Sequence, residues 1–302
     1  MTAGTATRSV ASRITNPWGK PRYLPLLTGL YVLWSIIPVA IAVRFSFNAG
    51  RSSSTWQGFS TRWYVGDPTA AESVLYDQSL RFALTQSLRL AALTMLVATP
   101  IGVALALGLT RWRGRGAKAS NLLMLIPLVT PEIVMGVALF LVFDKLYDFV
   151  PFGTWTQFLG HVTFSISFVV IIVRGRLFAI GRDYEEAAMD LGASPWEALR
   201  RVLLPLLAPA LLASFAMVFA LSIDDFVISQ FLLGGAETLT IPVKLYSGAR
   251  LAPPPSLNAL ATLLMVITIA AIVFAGLMFK FLGKKLGGGE GSALETVGRF
   301  EI

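Results

Sequence analysis

Three acidic side chains lie beside or within long apolar stretches of this sequence. Asp224 and Asp225 end one such stretch, and Glu132 is the one charged residue inside the limits of any of them. Because an ionisable group at membrane depth costs a few kcal/mol, residues of this kind are functional candidates by default. Neighbouring carboxylates attract cations and repel anions. The sequence therefore predicts that these three residues line the pathway of a small cationic solute.

Structural roles are the alternatives for the same carboxylates. In that interpretation the two aspartates cap a helix and are solvated at the membrane interface, and Glu132 hydrogen-bonds backbone groups freed by Pro131. Successive residues on a helix point in different directions, so Asp224 and Asp225 do not both face one pathway. One of them then contacts the solute while the other caps the next segment.

The sequence contains no residue set typical of catalysis or of metal binding. It has no cysteine and a single histidine, His161, which excludes thiolate chemistry and histidine clusters. We expect His161 to make a satisfied hydrogen bond in the protein interior. The phosphate-binding pattern Gly-x-x-x-x-Gly-Lys-Ser/Thr is also absent from the sequence, so this chain is predicted to be no enzyme and to hold no catalytic residue, metal or cofactor.

The elements that must position the carboxylates are membrane-spanning helices. The 302 residues are 55% hydrophobic and 14% charged, with a mean hydropathy of +0.69, which lies outside the composition of soluble proteins. An all-α membrane protein with six transmembrane helices in one domain is therefore predicted, and a further run, 226–235, is too short to span and is predicted to be re-entrant or interfacial. The six runs long enough to cross about 30 Å of hydrocarbon are 24–43, 90–110, 122–143, 156–173, 202–223 and 256–279.

The basic residues are unevenly distributed among the connecting segments. Seventeen of the 25 Lys and Arg residues fall before the first run, after the second, after the fourth and after the sixth, and seven fall on the other side. Because basic residues concentrate in cytoplasmic loops, both termini are predicted to be cytoplasmic. This bias accounts for the net charge of +8 without nucleic-acid binding. The predicted divisions of the single domain are an N-terminal cytoplasmic segment (1–23), a first helix with an outer loop (24–84), a core (85–283) and a cytoplasmic tail (284–302).

The segment 182–197, which we call the elbow, carries the strongest local pattern. Asp183 is predicted to cap a short helix with an acidic first turn, and Gly192 can supply the left-handed residue that ends it. Ser194 and Glu197 form a capping box, so that a second helix starts at once and leads into the fifth run. These signals predict two helices joined by a sharp turn on the cytoplasmic side.

The first helix of the elbow has features of a docking element. Ala187, Ala188 and Leu191 form a small, shallow apolar strip, and Glu186 and Asp190 form an acidic pair at i and i+4. Small side chains allow another surface to approach closely. The alternative is an ordinary solvated loop helix, which has no need of two alanines beside a capped turn.

The elbow resembles the EAA loop of binding-protein-dependent ABC transporter permeases. That pattern is Glu-Ala-Ala, three residues, Gly, nine residues, an aliphatic residue, one residue and Leu-Pro. This chain has Glu186-Ala187-Ala188, Gly192, Val202 and Leu204-Pro205 at that spacing, and Val202 stands where isoleucine is commoner. The resemblance extends over roughly residues 85–280 and implies the type I importer permease fold, with the first span as an additional helix.

The resemblance also implies a division of labour between subunits. In this family the EAA helix sits in a groove on a cytoplasmic ATPase. When the ATPase closes, the helix transmits that movement to the transmembrane helices, so ATP and Mg²⁺ are expected on a partner. The ATPase-coupling residues implied here are Tyr184, Glu185, Glu186, Ala187, Ala188, Asp190, Leu191 and Gly192.

Two further stretches resemble the spermidine/putrescine permease subunits, the PotC-like branch of the family. They are residues 223–229, which contain Asp224 and Asp225, and residues 127–136, which contain Glu132. The resemblance implies a polyamine as the solute. Phe219 and Phe226 are then expected to add cation–π contacts to a flexible cation if they line the pathway.

The expected assembly is a bacterial importer in the cytoplasmic membrane that works by alternating access. One six-helix chain offers half a pathway, so the expected partners are a second, homologous permease subunit in a heterodimer, a dimer of ATPases and an extracytoplasmic solute-binding protein. The open alternatives are the same machine carrying an opine, iron or a sugar, and a secondary transporter driven by ion gradients. Inverted repeats with matching broken helices, expected for a secondary transporter, are not evident.

Overall fold

The computed structural model of the chain describes residues 23–52, 54–66, 73–112, 114–249 and 254–286. The predicted N-terminal segment, up to residue 22, and the predicted tail from residue 287 lie outside these residues. The chain divides into two compact units, residues 1–44 with 288–302 and residues 45–287. The described part of the first unit is most of helix α1 (Tyr23–Ser46), an apolar helix with Pro38 in its interior.

The second unit contains the remaining helices and all the candidate site residues. Besides α-helices it contains a π-helical turn (Leu199–Leu203) and a 3₁₀ turn (Ala236–Thr238). The helices are α2 (Gln78–Arg111), α3 (Ala117–Leu123), α4 (Ile126–Val129), α5 (Glu132–Lys145), α6 (Thr154–Ile180), α7 (Asp183–Asp190), α8 (Pro195–Ala198), α9 (Leu204–Asp224), α10 (Val227–Phe231), α11 (Ile241–Ala249) and α12 (Pro255–Leu286).

The all-α membrane architecture predicted from the sequence is confirmed. Within the described residues, five helical stretches are long and apolar enough to cross a membrane. Four of the predicted runs lie inside the helices α1, α2, α6 and α12, and the fifth, 202–223, begins in the π-helical turn and continues through α9. A sixth crossing is possible only if the segments on both sides of Pro131 are counted together.

The third predicted run, 122–143, is not one continuous helix. The helical stretches Ala117–Val129 and Glu132–Lys145 meet at an angle of 107°. Thr130 and Pro131 between them are extended, with ψ of 128° and 135°. Proline has no N–H to continue a helix, and its ring disfavours the helical conformation of the preceding residue. Hydropathy averaged over the run does not register this break.

The core of the second unit is formed where α2, α6 and α9 pack together. Its buried side chains include Ala98 and Ala106 of α2, Val169 of α6 and Val218 of α9. Gly102 lies between the two alanines, and a Cβ atom placed there would be 2.6 Å from the Cβ of Val169. Small residues on α2 therefore bring its backbone close to α6.

Side-chain contacts show how these helices run relative to one another. At one end of the bundle, which we call the elbow end, the guanidinium of Arg111 on α2 pairs with a carboxylate of the elbow, and Arg176 of α6 donates from Nε to the Leu206 carbonyl of α9 (3.2 Å). At the opposite end, Gln86 of α2 donates to Gln157 of α6 (2.8 Å). The elbow and Asp224 consequently lie at opposite ends of α9.

Candidate functional site

The bend of the elbow is made by a glycine in the left-handed region. Gly192 has φ of +93°, its N–H donates to the Met189 carbonyl (2.9 Å), and the N–H of Ala193 donates to the Ala188 carbonyl (3.0 Å). These bonds satisfy the last carbonyls of α7 in the way typical of a left-handed helix end. The predicted conformation of Gly192 is confirmed. Gly181, before α7, also has a positive φ of 75°, and the sequence analysis did not single it out.

The second helix of the elbow starts as predicted, whereas the first does not. The hydroxyl of Ser194 accepts from the Glu197 N–H (3.3 Å), and the Glu197 carboxylate accepts from the Ser194 N–H (3.1 Å), so the capping box is present. The prediction that Asp183 caps α7 is wrong. Arg182 occupies the capping position without a side-chain bond, and Asp183 is the first helical residue. There its charge still interacts favourably with the helix dipole.

The elbow exposes apolar side chains in a region rich in charge. Leu191 is 90% exposed, Trp196 is 66% exposed and Tyr184 is 57% exposed. Ala187 and the acidic pair formed by Glu186 and Asp190 are exposed as well, and Ala188 is half-buried. Large apolar side chains left in the open beside small ones are typical of a surface that binds another protein.

One predicted coupling residue faces the bundle instead. The carboxylate of Glu185 forms an ion pair with the guanidinium of Arg111, at the last residue of α2. The side chain of Glu185 is only 16% exposed, against 42% for Arg111. This ion pair ties the elbow to a long apolar helix. The two residues lie 74 positions apart, so no local sequence pattern predicts their contact.

At the opposite end of α9, the two aspartates have different environments. Asp224 is exposed, whereas Asp225 is 9% exposed. The carboxylate of Asp225 accepts from the N–H groups of Ser229 (2.8 Å) and Ile228 (3.4 Å) in α10. Its Oδ2 also lies 3.2 Å from Nε2 of His161. Asp225 is therefore the member of the pair that caps the next segment.

Glu132 lies near this acidic pair across a helix contact. It is the first residue of α5 and is exposed, and the next residue, Ile133, lines a cavity together with Phe226, which directly follows the acidic pair. One turn along α5, a Cβ atom on Gly136 would be 2.6 Å from the Phe231 ring of α10. The close approach at Gly136 brings the start of α5 beside α10.

An open cavity of about 820 Å³ adjoins these residues, within the usual size range of small-molecule sites. The rings of Phe226 and Tyr246 are 4.6 Å apart in its wall. Of the two aromatic residues named from the sequence, Phe226 lines the cavity. The lining residues are Ile133, Phe226, Val227, Gln230, Phe231, Tyr246 and Ser247.

Buried polar side chains that were not predicted from the sequence lie behind the cavity. Gln86, Gln157, Ser222 and Ser229 are buried in the described structure and hydrogen-bond one another or His161. The expectation of a satisfied interior hydrogen bond at His161 is confirmed. A polar residue in an otherwise apolar helix is the signal that points to such sites.

Comparison with known proteins gives the family of the chain. Residues 98–288 match the family described as binding-protein-dependent transport system inner membrane component. The chain is 35% identical over 262 residues to the spermidine/putrescine transport system permease protein PotC of Shigella flexneri, covering 87% of this chain and 95% of the relative. It is also 35% identical over 257 residues to the putrescine transport system permease protein PotI of Escherichia coli strain K12, covering 83% and 87%.

More distant relatives carry other names. The molybdenum transport system permease protein ModB of Mycobacterium bovis is 31% identical over 274 residues, covering 86% of this chain and 94% of the relative. A solved bacterial ABC transporter involved in import of the acidic polysaccharide alginate has a TM-score of 0.66 at 17% identity, with 85% of this chain and 95% of that chain covered. At that identity the likeness shows the fold alone.

The family match over residues 98–288 and the 35% identity to two permeases give the family. The chain belongs to the binding-protein-dependent transport system inner membrane components, the multi-pass permease subunits of bacterial ABC importers.

Proposed function

We propose that this chain is the permease subunit of an ATP-driven polyamine importer and that it carries spermidine or putrescine by alternating access. The observation that carries the proposal is its 35% identity to polyamine permeases over more than four fifths of its length. The molybdenum permease, a relative named for another solute, is less similar, at 31% identity.

The charges around the cavity support a cationic solute. Asp224 and Glu132 are both exposed, and they lie within two residues along the chain of Phe226 and Ile133, which line the cavity together with Tyr246. Carboxylates attract the ammonium groups of a polyamine, and aromatic faces add cation–π attraction. The same carboxylates oppose the entry of an acidic solute. Asp225 supports the cavity wall and does not contact the solute.

The exposed elbow supports coupling to a separate ATPase. In the proposed assembly the elbow end faces the cytoplasm, both termini are cytoplasmic, and the apolar strip around Leu191 docks on a dimer of ATPases that binds ATP and Mg²⁺. The Glu185–Arg111 ion pair then transmits movement of the elbow to α2. A homologous second permease completes the pathway, and a solute-binding protein delivers the polyamine at the opposite end.

Reconstitution of the assembled importer tests this function. The tagged chain is purified with its bound ATPase and second permease, placed in proteoliposomes, and supplied with its binding protein. We expect ATP-dependent uptake of radiolabelled spermidine or putrescine that excess unlabelled polyamine suppresses and molybdate does not. ATP-dependent uptake of another solute, with none of either polyamine, would refute the assignment.

Replacement of one carboxylate tests the cation site within the same assay. Asp224→Asn should reduce polyamine uptake at low concentration at least about tenfold, because a hydrogen bond to a charged group contributes about 1.5–3 kcal/mol. Asp144→Asn is the matched control, since Asp144 pairs with Lys145 at the end of α5 opposite Glu132. Equal uptake by both variants would remove Asp224 from the pathway.

A further inference from the structure

One face of α6 presents two buried polar side chains to the segment 225–238, which we call the re-entrant segment after the prediction made for residues 226–235. Gln157 and His161 are one helical turn apart, and both are buried. Between them lies Gly160, where a Cβ atom would be 2.7 Å from Cγ2 of Ile228. The glycine allows α6 and α10 to approach until the flanking side chains reach the backbone of the re-entrant segment.

His161 holds the beginning of the re-entrant segment. Its Nε2 lies 3.2 Å from Oδ2 of Asp225 and 3.1 Å from Oγ of Ser229. Its Nδ1 lies 2.7 Å from Oγ of Ser222 on α9. Both ring nitrogens are therefore in contact with partners, and the imidazole joins α6, the end of α9 and the start of α10.

Gln157 holds the remainder of the re-entrant segment. Its Nε2 donates to the carbonyl oxygens of Ser229 (2.9 Å) and Thr238 (3.1 Å), which lie on opposite sides of the turn after α10. Its Oε1 accepts from Gln86 of α2. In addition, the N–H of Gly153 donates to the Leu232 carbonyl (3.1 Å). Four residues of the re-entrant segment are thus attached to α6 or to its N-terminal cap: Asp225, Ser229, Leu232 and Thr238.

The cost of burying these polar groups indicates a positional role. Apolar side chains would fill the same space without a desolvation penalty, whereas buried polar groups are tolerated only when each finds a partner. Gln157 and His161 reach all their hydrogen-bonding partners in only one placement of the re-entrant segment. Sliding or tilting of that segment relative to α6 would leave several of them unsatisfied at once.

We propose that Gln157 and His161 are positioning residues that keep the re-entrant segment fixed to α6 throughout the transport cycle. The cavity wall formed by Phe226 and Gln230 then moves together with α6 as one body, and the pathway opens and closes at other helix contacts. This inference rests on the proposed function to the extent that it assumes a transport cycle. The attachment itself is a property of the folded chain.

A covalent link between α6 and α10 tests the inference directly. The chain has no native cysteine, so Gly160→Cys with Ile228→Cys introduces a single possible disulfide. Cβ atoms joined by a disulfide are about 3.5–4.5 Å apart. The atom nearest to a Cβ at position 160 is Cγ2 of Ile228, at 2.7 Å, which Ile228→Cys removes; the next, at 2.9 Å, is Cδ1 at the flexible end of Leu232. Because Cγ2 is bonded directly to the Cβ of residue 228, the two Cβ atoms are near each other. We expect the pair to oxidise fully in the assembled importer and polyamine uptake to stay within about twofold of the reduced form.

Two outcomes would overturn the inference. In the first, the pair does not oxidise, because a segment fixed to α6 must keep the two sulfurs within reach. In the second, oxidation lowers uptake at least tenfold and dithiothreitol restores it, because the re-entrant segment must then move against α6. Absence of polyamine uptake by the wild-type importer would contradict the proposed function instead.

A thiol-accessibility measurement keeps the inference testable without transport. With Ile228→Cys as the reporter, the buried thiol should react slowly with a maleimide in the folded chain. We expect His161→Ala to raise that rate at least tenfold, and His161→Gln to restore most of the protection because it keeps a hydrogen-bonding group. Ser165→Ala, one turn along α6, is the matched control for loss of a buried polar group. Equal rates for His161→Ala and Ser165→Ala would refute the positioning role.

Discussion

A substitution at Gly192 should disturb the bend of the elbow without disturbing its packing. The residue has φ of +93°, and a Cβ atom there would meet no heavy atom within 4 Å. The cost of a side chain is therefore the backbone conformation alone, about 1–2 kcal/mol for an ordinary L residue and more for a β-branched one. By that cost, Gly192→Val lowers the population of the bent elbow at least about 5–30-fold relative to other conformations of the link.

The assay compares ATP hydrolysis and polyamine uptake in the reconstituted importer. Both should fall in Gly192→Val by up to about 30-fold, the limit reached when the bent form becomes the minor one, while the amount of protein in the membrane stays unchanged because Gly192 is exposed. Gly192→Asn should retain most activity, since asparagine adopts positive φ more readily than most residues. Gly175→Ala is the matched control, because Gly175 is helical and a Cβ atom there also meets nothing within 4 Å.

The refuting result is wild-type uptake and ATP hydrolysis in Gly192→Val at normal membrane abundance. The left-handed bend would then be dispensable, and coupling through the elbow would lose its structural basis. Equal loss of activity in Gly175→Ala would also contradict the reasoning, because that change imposes no backbone strain.

Substitutions at three further positions test the packing of α2 and its link to the elbow. Gly102→Ala should lower the free energy of unfolding in detergent by about 1–3 kcal/mol, since the new Cβ atom would be 2.6 Å from that of Val169. As a control, the Cβ atom of Gly108→Ala in the same helix meets nothing within 4 Å and should not destabilise the protein. Equal thermal stability of the two variants would contradict the close approach. Arg111→Glu and Glu185→Arg should each reduce uptake per ATP hydrolysed while changing the free energy of unfolding by less than about 1 kcal/mol. If the ion pair couples the elbow to α2, the double variant with both residues exchanged should restore uptake per ATP. A double variant that stays uncoupled would show that the ion pair does not couple them.

The sequence predicted best those features that depend on neighbouring residues. Spans were found because apolar length is a sum over consecutive residues, and the bend at Gly192 and the capping box at Ser194 were found because their hydrogen bonds close within a few positions. The error at Asp183 was of one residue, because acidic side chains are favourable both at the cap and in the first helical turn.

The bend at Pro131 was not predicted by hydropathy summed over consecutive residues. Proline next to Thr130 was visible in the sequence, yet hydropathy treats the residues on either side as one apolar run. Whether a proline in a membrane helix produces a gentle kink or a complete change of direction depends on what packs against the freed backbone. Here the close approach of Gly136 to Phe231 places α5 against α10, a contact between residues far apart in the chain.

The amino-acid sequence by itself determined that this protein is a bundle of membrane helices, where its elbow bends, and which family pattern the elbow follows. Only the tertiary structure decided that Asp225 caps α10 while Asp224 is exposed, that Glu185 turns inward to Arg111, and that His161 joins three helical elements. The physical reason is that hydropathy, helix capping and turn conformation are local free energies. The environment of a single carboxylate or imidazole is instead set by partners that only folding brings within hydrogen-bonding distance.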